Sequence, residues 1–287
     1  MTEGEQDTLQ ETDRAIQEML EQILSEEEAA LAMIAPYSPA KISPARAEMA
    51  QIGLVEELRL EYALKELEDV DKIKLLLHSY GGRVTSSFKI AQALIENFDQ
   101  IEVYVPHLAL SGGTLISLTG EKIVMGQMSQ LSPLDPQYTE NGKQYSVNAL
   151  IRMFEKLQEQ FGDTHEQDAP YPMKALVDKI DPVDLQEKID SAKMMREHAR
   201  DILLRHDFLN EDQADEILHE LVTEYPTHEY CITKNEAANI LPSSMICVEE
   251  NHQVGMNVMR TWLQSYFEAA DNNHIIKYHR TKNDDKE

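Results

Sequence analysis

Two stretches decide the fold: "KIKLLLHSYGG" (72–82) and "IEVYVPHLALSGGTLISL" (101–118). Each runs from an apolar segment of strand length into a turn with two adjacent glycines. Each turn then opens into apolar residues at helical spacing, over 85–98 in the first case and from Gly113 in the second. "KIVMG" (122–126) reads as a further strand. Strand alternating with helix at this spacing predicts βαβ units and a largely parallel sheet. Ligands of such sheets gather at the carboxyl ends of the strands, where both glycine turns fall.

Working outward, "ALAMIAP" (30–36) reads as a first strand, and the proline-rich link 36–44 leads to a helical pattern over 45–68. Its apolar positions include Met49, Ile52, Val55, Leu58, Tyr62 and Leu67. Residues 1–28 are acidic, yet Ile16, Met19, Leu20, Ile23 and Leu24 form the stripe of an amphipathic helix, read as resting on the domain or a neighbouring subunit, with a partner-binding arm as the alternative. From 147 the pattern is helical, over 147–161, about 182–207 and 211–222. Thr233 and Glu236 have capping-box spacing, and "SSMICVEE" (243–250) returns a late strand. The helix 256–270, with Met259, Trp262, Leu263, Tyr266 and Phe267, reads as core or subunit packing, and the tail 282–287 as frayed. The division expected is an acidic helical extension (1–29), an α/β core (30–248) and a C-terminal helix and tail (249–287).

Composition excludes several functions. The 287 residues carry 52 acidic and 26 basic side chains, a formal charge of -26 that repels nucleic acid and anionic lipid. Two cysteines, Cys231 and Cys247, are too few for a disulfide framework and read as reduced thiols of a cytoplasmic protein. No export signal or apolar span is present, no P-loop, no G-x-G-x-x-G fingerprint, and no H-E-x-x-H or cysteine cluster for a metal. No cofactor is expected.

Ser111 has small neighbours two positions before and after, Ala109 and Gly113. A nucleophile on a sharp strand-to-helix turn needs such flanks, and the helix that follows favours a developing oxyanion. Serine is also a common helix N-cap, so the motif alone leaves both readings open. The turn at Gly81 and Gly82 adds N–H groups that, with that of Gly112, can surround a carbonyl oxygen. A plain glycine turn with positive φ is the alternative.

Taken in order, "LLLHSYGG", "VPHLALSGGTLISL", "EKIVMG", "LSPLDPQY" and the later "YPTHEYCITKNEAANILP" (225–242) resemble the serine dehydrogenase proteinase family, relatives of signal peptide peptidase A and the Clp protease proteolytic subunit. The resemblance spans about residues 73–245. It implies a Clp/crotonase-like α/β fold with helical extensions, Ser111 as nucleophile, Gly81, Gly82 and Gly112 as oxyanion hole, and Asp135 and His228 completing a triad. It further implies a peptide or unfolded protein as substrate and a homo-oligomer, with an ATPase partner left open. Asp135 precedes Pro136 and has an Asx turn as its competing role. His78 and His107 flank the two turns as other candidate bases, and relatives with a Ser-Lys dyad point to Lys122, Lys143 or Lys156. The sequence departs from the family pattern at Tyr80, which replaces proline, at Glu229 and Cys231, and in having an acidic helix where many relatives carry a membrane span. Two other classes stay open: a crotonase-like enzyme acting on acyl thioesters, and a non-catalytic oligomeric subunit.

Overall fold

The computed structural model describes residues 14–34, 51–140, 143–163, 165, 168, 181–248, 252–269 and 275–280. In chain order the first half contains α1 (residues 14–21), β1 (Glu28–Ile34), α2 (Leu54–Lys65), β2 (Lys72–His78), α3 (Val84–Asn97), β3 (Gln100–Val105), β4 (Leu108–Ala109), α4 (Gly112–Ser117), β5 (Lys122–Met125) and β6 (Gln130–Leu131). The second half contains β7 (Gln137–Glu140), β8 (Lys143–Ser146), α5 (Val147–Phe161), α6 (Pro182–Leu203), α7 (Glu211–His219), a π-helical turn (Glu220–Glu224), β9 (Ile232–Thr233), α8 (Lys234–Ile240), β10 (Ile246–Val248), α9 (Gln253–Ala269) and β11 (Ile275–Arg280).

The central sheet has the order β10-β5-β3-β2-β1-β11, parallel throughout except for β11, which runs antiparallel on the β1 edge. Leu75, Leu76 and Leu77 are fully buried because both faces of the sheet are covered. Each such side chain contributes about 1.5–3 kcal/mol. Alternation along β2 sends Leu75 and Leu77 into the larger core, under α3, α4, α6 and α7, and Leu76 into a second core. That second core is closed by Ile16 and Leu20 of α1 and by Met256, Met259 and Trp262 of α9. The apolar stripes of both helices therefore lie on their own sheet, where their periodicity directs them.

Several expectations need correction. The helical pattern starts at Leu54, because Ile52 is in extended pairing with Gly82: its N–H donates to the Gly81 carbonyl and its carbonyl accepts from Arg83 N–H. The helix then turns Leu60 and Ala63 inward while Val55, Leu58 and Tyr62 face solvent. The long helix stops at Leu203, and α9 begins earlier than expected, at Gln253. Strand β11 went unread, as did the two-residue strands, which are too short to show a period. Residues 1–13, the proline-rich link with Met49, the side chains of Lys143 and Tyr266 and the tail 282–287 lie outside what is described.

At the end where β2, β3 and β5 begin, a cleft of about 920 Å³ opens between the strands and the start of α9. Lys74 bridges Glu28 (3.1 Å) and Glu102 (2.9 Å) there. Glu102 also accepts from the Tyr104 hydroxyl at 3.2 Å, and its other oxygen lies 3.0 Å from His252 Nε2.

Candidate active site

At the opposite end of the sheet the chain leaves β4 and enters α4 through Ser111, which has φ 51° and ψ -113°. It is the one non-glycine residue with positive φ among those described, a conformation costing about 1–3 kcal/mol. Although Ser111 occupies the N-cap position, its side chain makes no capping bond, so the hydroxyl is not used for helix initiation. Its backbone N–H is held instead by Ser132 Oγ at 2.7 Å. Thr114 locks the same corner: its hydroxyl lies 2.8 Å from the Ala109 carbonyl and accepts from Ser132 N–H at 3.0 Å.

Gly81 has φ +91°, and a Cβ there would meet the Leu110 carbonyl oxygen at 2.6 Å and Ser111 Cβ at 2.8 Å. A Cβ on Gly82 would fall 2.3 Å from backbone atoms of Ile52. One on Gly112 would lie 2.1 Å from Ser87 Oγ and 3.4 Å from the Gly82 nitrogen. Gly81 thus lets the two turns approach each other, Gly82 makes room for the Ile52 backbone, and Gly112 for Ser87 of α3. Gly81 N–H donates to Ser79 Oγ at 3.0 Å, whereas the N–H groups of Gly82 and Gly112 donate to no acceptor among the described residues. Gly81 N–H is therefore engaged within its own turn, and the N–H groups of Gly82 and Gly112 remain without an acceptor among the described residues.

Strand β6 lies parallel to β4 and antiparallel to β9, with Leu131 opposite Ile232. Beyond this short pairing, the His228 ring interacts with the carboxylate and the backbone carbonyl of Asp135. Asp135 is buried, and its Oδ1 accepts from Asn148 N–H at 3.1 Å, so the carboxylate caps α5 rather than closing a local Asx turn. Burial holds the half-buried His228 below the usual histidine range, opposed by the carboxylate and backbone carbonyl of Asp135 and by Glu229. Its Nδ1 has no hydrogen-bond partner among the described residues. The structure thus brings His228 to Asp135 and Ser111 to Ser132, three residues before Asp135. No hydrogen bond joins Ser111 Oγ to a histidine among the described residues.

The alternative bases are placed differently. His78 shares the face of Leu76, its ring buried against His107, Tyr80 and Phe267, and burial, followed by the influence of His107, pushes it down to about 3. His107 is exposed. Lys122 opens β5 at the far end of the sheet, and Lys156 is exposed on α5. Lys188, which sequence reasoning passed over, pairs with Asp184 and lies 4.2 Å from the Tyr138 ring centroid. Ser132, Thr114 and Asn148 were also missed, because their roles come from contacts between distant segments. Among the described residues no group of three His, Cys, Asp or Glu side chains could hold a metal, both cysteines are free, and no helix is long and apolar enough to cross a membrane.

A parallel α/β sheet carrying a strained serine between two glycine turns defines the ClpP/crotonase-like class of fold. The chain belongs to the ClpP-like SDH-type serine proteinase family, whose model matches residues 54–266. Two uncharacterised proteins of Methanocaldococcus jannaschii are similar to it. One is 39% identical over 84 residues, 29% of this chain and 28% of the relative; the other is 29% identical over 161 residues, 56% and 48%. The chain thus spans less than half the length of these curated relatives. Among solved structures, the 1510-N membrane-bound stomatin-specific protease is similar at 15% identity, over 72% of this chain and 79% of that one, with a TM-score of 0.44. An enoyl-CoA hydratase of Shewanella pealeana is similar at 9% identity, over 67% and 82%, with a TM-score of 0.30.

Proposed function

We propose that the protein is a serine peptidase that hydrolyses peptides or unfolded protein segments through an acyl-enzyme on Ser111. One observation carries this reading: a strained serine whose hydroxyl is not used as a cap stands beside two N–H groups, of Gly82 and Gly112, that have no other acceptor among the described residues. Ser111 Oγ attacks the scissile carbonyl carbon while His228 takes its proton, and the oxygen that becomes negative is held by the two N–H groups. Collapse breaks the C–N bond, with His228 returning the proton to the leaving amine. Water, deprotonated by the same imidazole, then releases the acyl group. Asp135 orients the imidazole and stabilises its charged form. Power to unfold a folded substrate would come from a separate ATPase.

The proposal includes a homo-oligomer. Since α1 and α9 direct their apolar faces to their own sheet, the contact between copies is assigned to α2, where Leu54, Val55, Leu58 and Tyr62 are exposed.

The test is a fluorophosphonate probe, with the adduct located by peptide mass spectrometry in wild type, Ser111→Ala and His228→Ala. Labelling at Ser111 that vanishes in both variants is the expected result. Labelling that persists in His228→Ala would assign the base to a lysine. Folded protein that takes no label would favour the non-catalytic subunit or the thioester enzyme.

A further inference from the structure

We propose that Asn148 is a positioning residue that holds the Asp135 segment against the turn leading to His228. The inference rests on the peptidase reading above. Asn148 is the second residue of α5 and only 9% exposed. Its backbone N–H donates to Asp135 Oδ1 at 3.1 Å, and its side-chain amide donates to the Val222 carbonyl at 2.8 Å. One residue thus grips both the loop after β6 and the π-helical turn Glu220–Glu224.

The sequence explains why that carbonyl is available. In a π-helical turn a carbonyl accepts from the N–H five residues on, and for Leu221 that residue is Pro226, which has none, while Val222 lies past the last such bond of the turn. The Leu221 carbonyl is likewise turned outward and accepts from Leu134 N–H at 2.9 Å, the residue before Asp135. One helical turn beyond Asn148, Arg152 donates to the Pro226 carbonyl at 3.2 Å. Two side chains of α5 therefore hold the turn at Val222 and Pro226, and His228 follows two residues later. The circuit closes where the His228 ring interacts with the carboxylate and carbonyl of Asp135. Without the Asn148 amide, the acid keeps its backbone partner while the turn that aims the imidazole loses one of its three holds, the one at Val222.

The experiment uses the full chain and measures the rate of Ser111 labelling by a fluorophosphonate against pH. It compares wild type, Asn148→Leu, Asn148→Gln, Asp135→Asn and the double variant Asp135→Asn/Asn148→Leu. Asn148→Leu keeps the volume and removes the amide; it is expected to label about 10- to 100-fold more slowly, the scale of a small misplacement of reacting groups. Its acid limb should move to lower pH, toward that of Asp135→Asn, because the acid's influence on the imidazole weakens. Asn148→Gln should recover part of the rate, and the double variant should be no slower than Asp135→Asn alone, since both act through one carboxylate.

A folded Asn148→Leu that labels within twofold of wild type would overturn the proposal. So would slow labelling with an unmoved acid limb, or losses that multiply in the double variant. Should circular dichroism show Asn148→Leu unfolded, Asn148→Ala, which also removes the amide, decides: slower labelling with a shifted limb supports the role, and a wild-type rate removes it. Failure of the peptidase reading looks different, because wild-type Ser111 then takes no label or Asp135→Asn labels as fast as wild type.

Discussion

Where β2, β3 and β5 begin, Lys74, Glu28, Glu102, Tyr104 and His252 are turned toward one another inside a cleft of about 920 Å³. Where the same strands finish, Ser111 is held in a strained conformation and the N–H groups of Gly82 and Gly112 face no acceptor among the described residues. The contrast concerns satisfaction rather than size. Charged groups already paired with one another have little left for a ligand, whereas unpaired donors suit a developing negative charge.

The contrast predicts that substitutions at the two ends act on different quantities. The largest effect is expected from Gly82→Ala, whose Cβ would fall 2.3 Å from the Ile52 backbone and displace one donor. Peptidase activity, or Ser111 labelling, should drop by about 10²–10³-fold, the loss typical of one oxyanion donor. Activity within threefold of wild type would show that this N–H is not used. At the other end, Glu102→Gln weakens the hold on Lys74 and should lower stability by about 1–3 kcal/mol, read by urea denaturation, while the labelling rate stays at the wild-type value. A changed labelling rate with unchanged stability would erase the distinction between the ends. The smallest effect is a pH displacement. Burial holds His228 below its ordinary 6.5, so the imidazole remains neutral and able to accept a proton at slightly acid pH. The acid limb of the kcat/KM profile should therefore lie below pH 6.5, and a limb at or above that value would remove His228 from the role of base.

What the sequence revealed and what it hid follow from the range of the interactions. Leu75–Leu77 and Val103–Val105 read as buried strands because their covering is continuous, and the glycine doublets marked both turns because a Cβ has no room there. These are local signals. The register of α2 was misread because apolar spacing at Val55, Leu58 and Tyr62 competes with the pairing of Ile52 to Gly82, a partner 30 residues away that leaves no local mark. Strand β11 hid for a similar reason, since "IIKYHR" has an edge strand's composition and acquires meaning only beside β1. The site divides in the same way. Ser111 stood out through its own neighbours, while the capping of α5 by Asp135 and the bond from Asn148 to Val222 join segments 13 and 74 residues apart.

The antiparallel pairing of β11 with β1 also sets a schedule for the growing chain. The strand that covers the β1 edge is made about 240 residues after it. At about 5–20 residues per second, that leaves a row of unpaired N–H and C=O groups waiting for roughly 12–50 s. Both glycine turns and the segment from Ser111 to Asp135 emerge early in that interval. The two glycine turns are thus synthesised long before the edge of their sheet is sealed, and a chain in this interval carries an open strand edge.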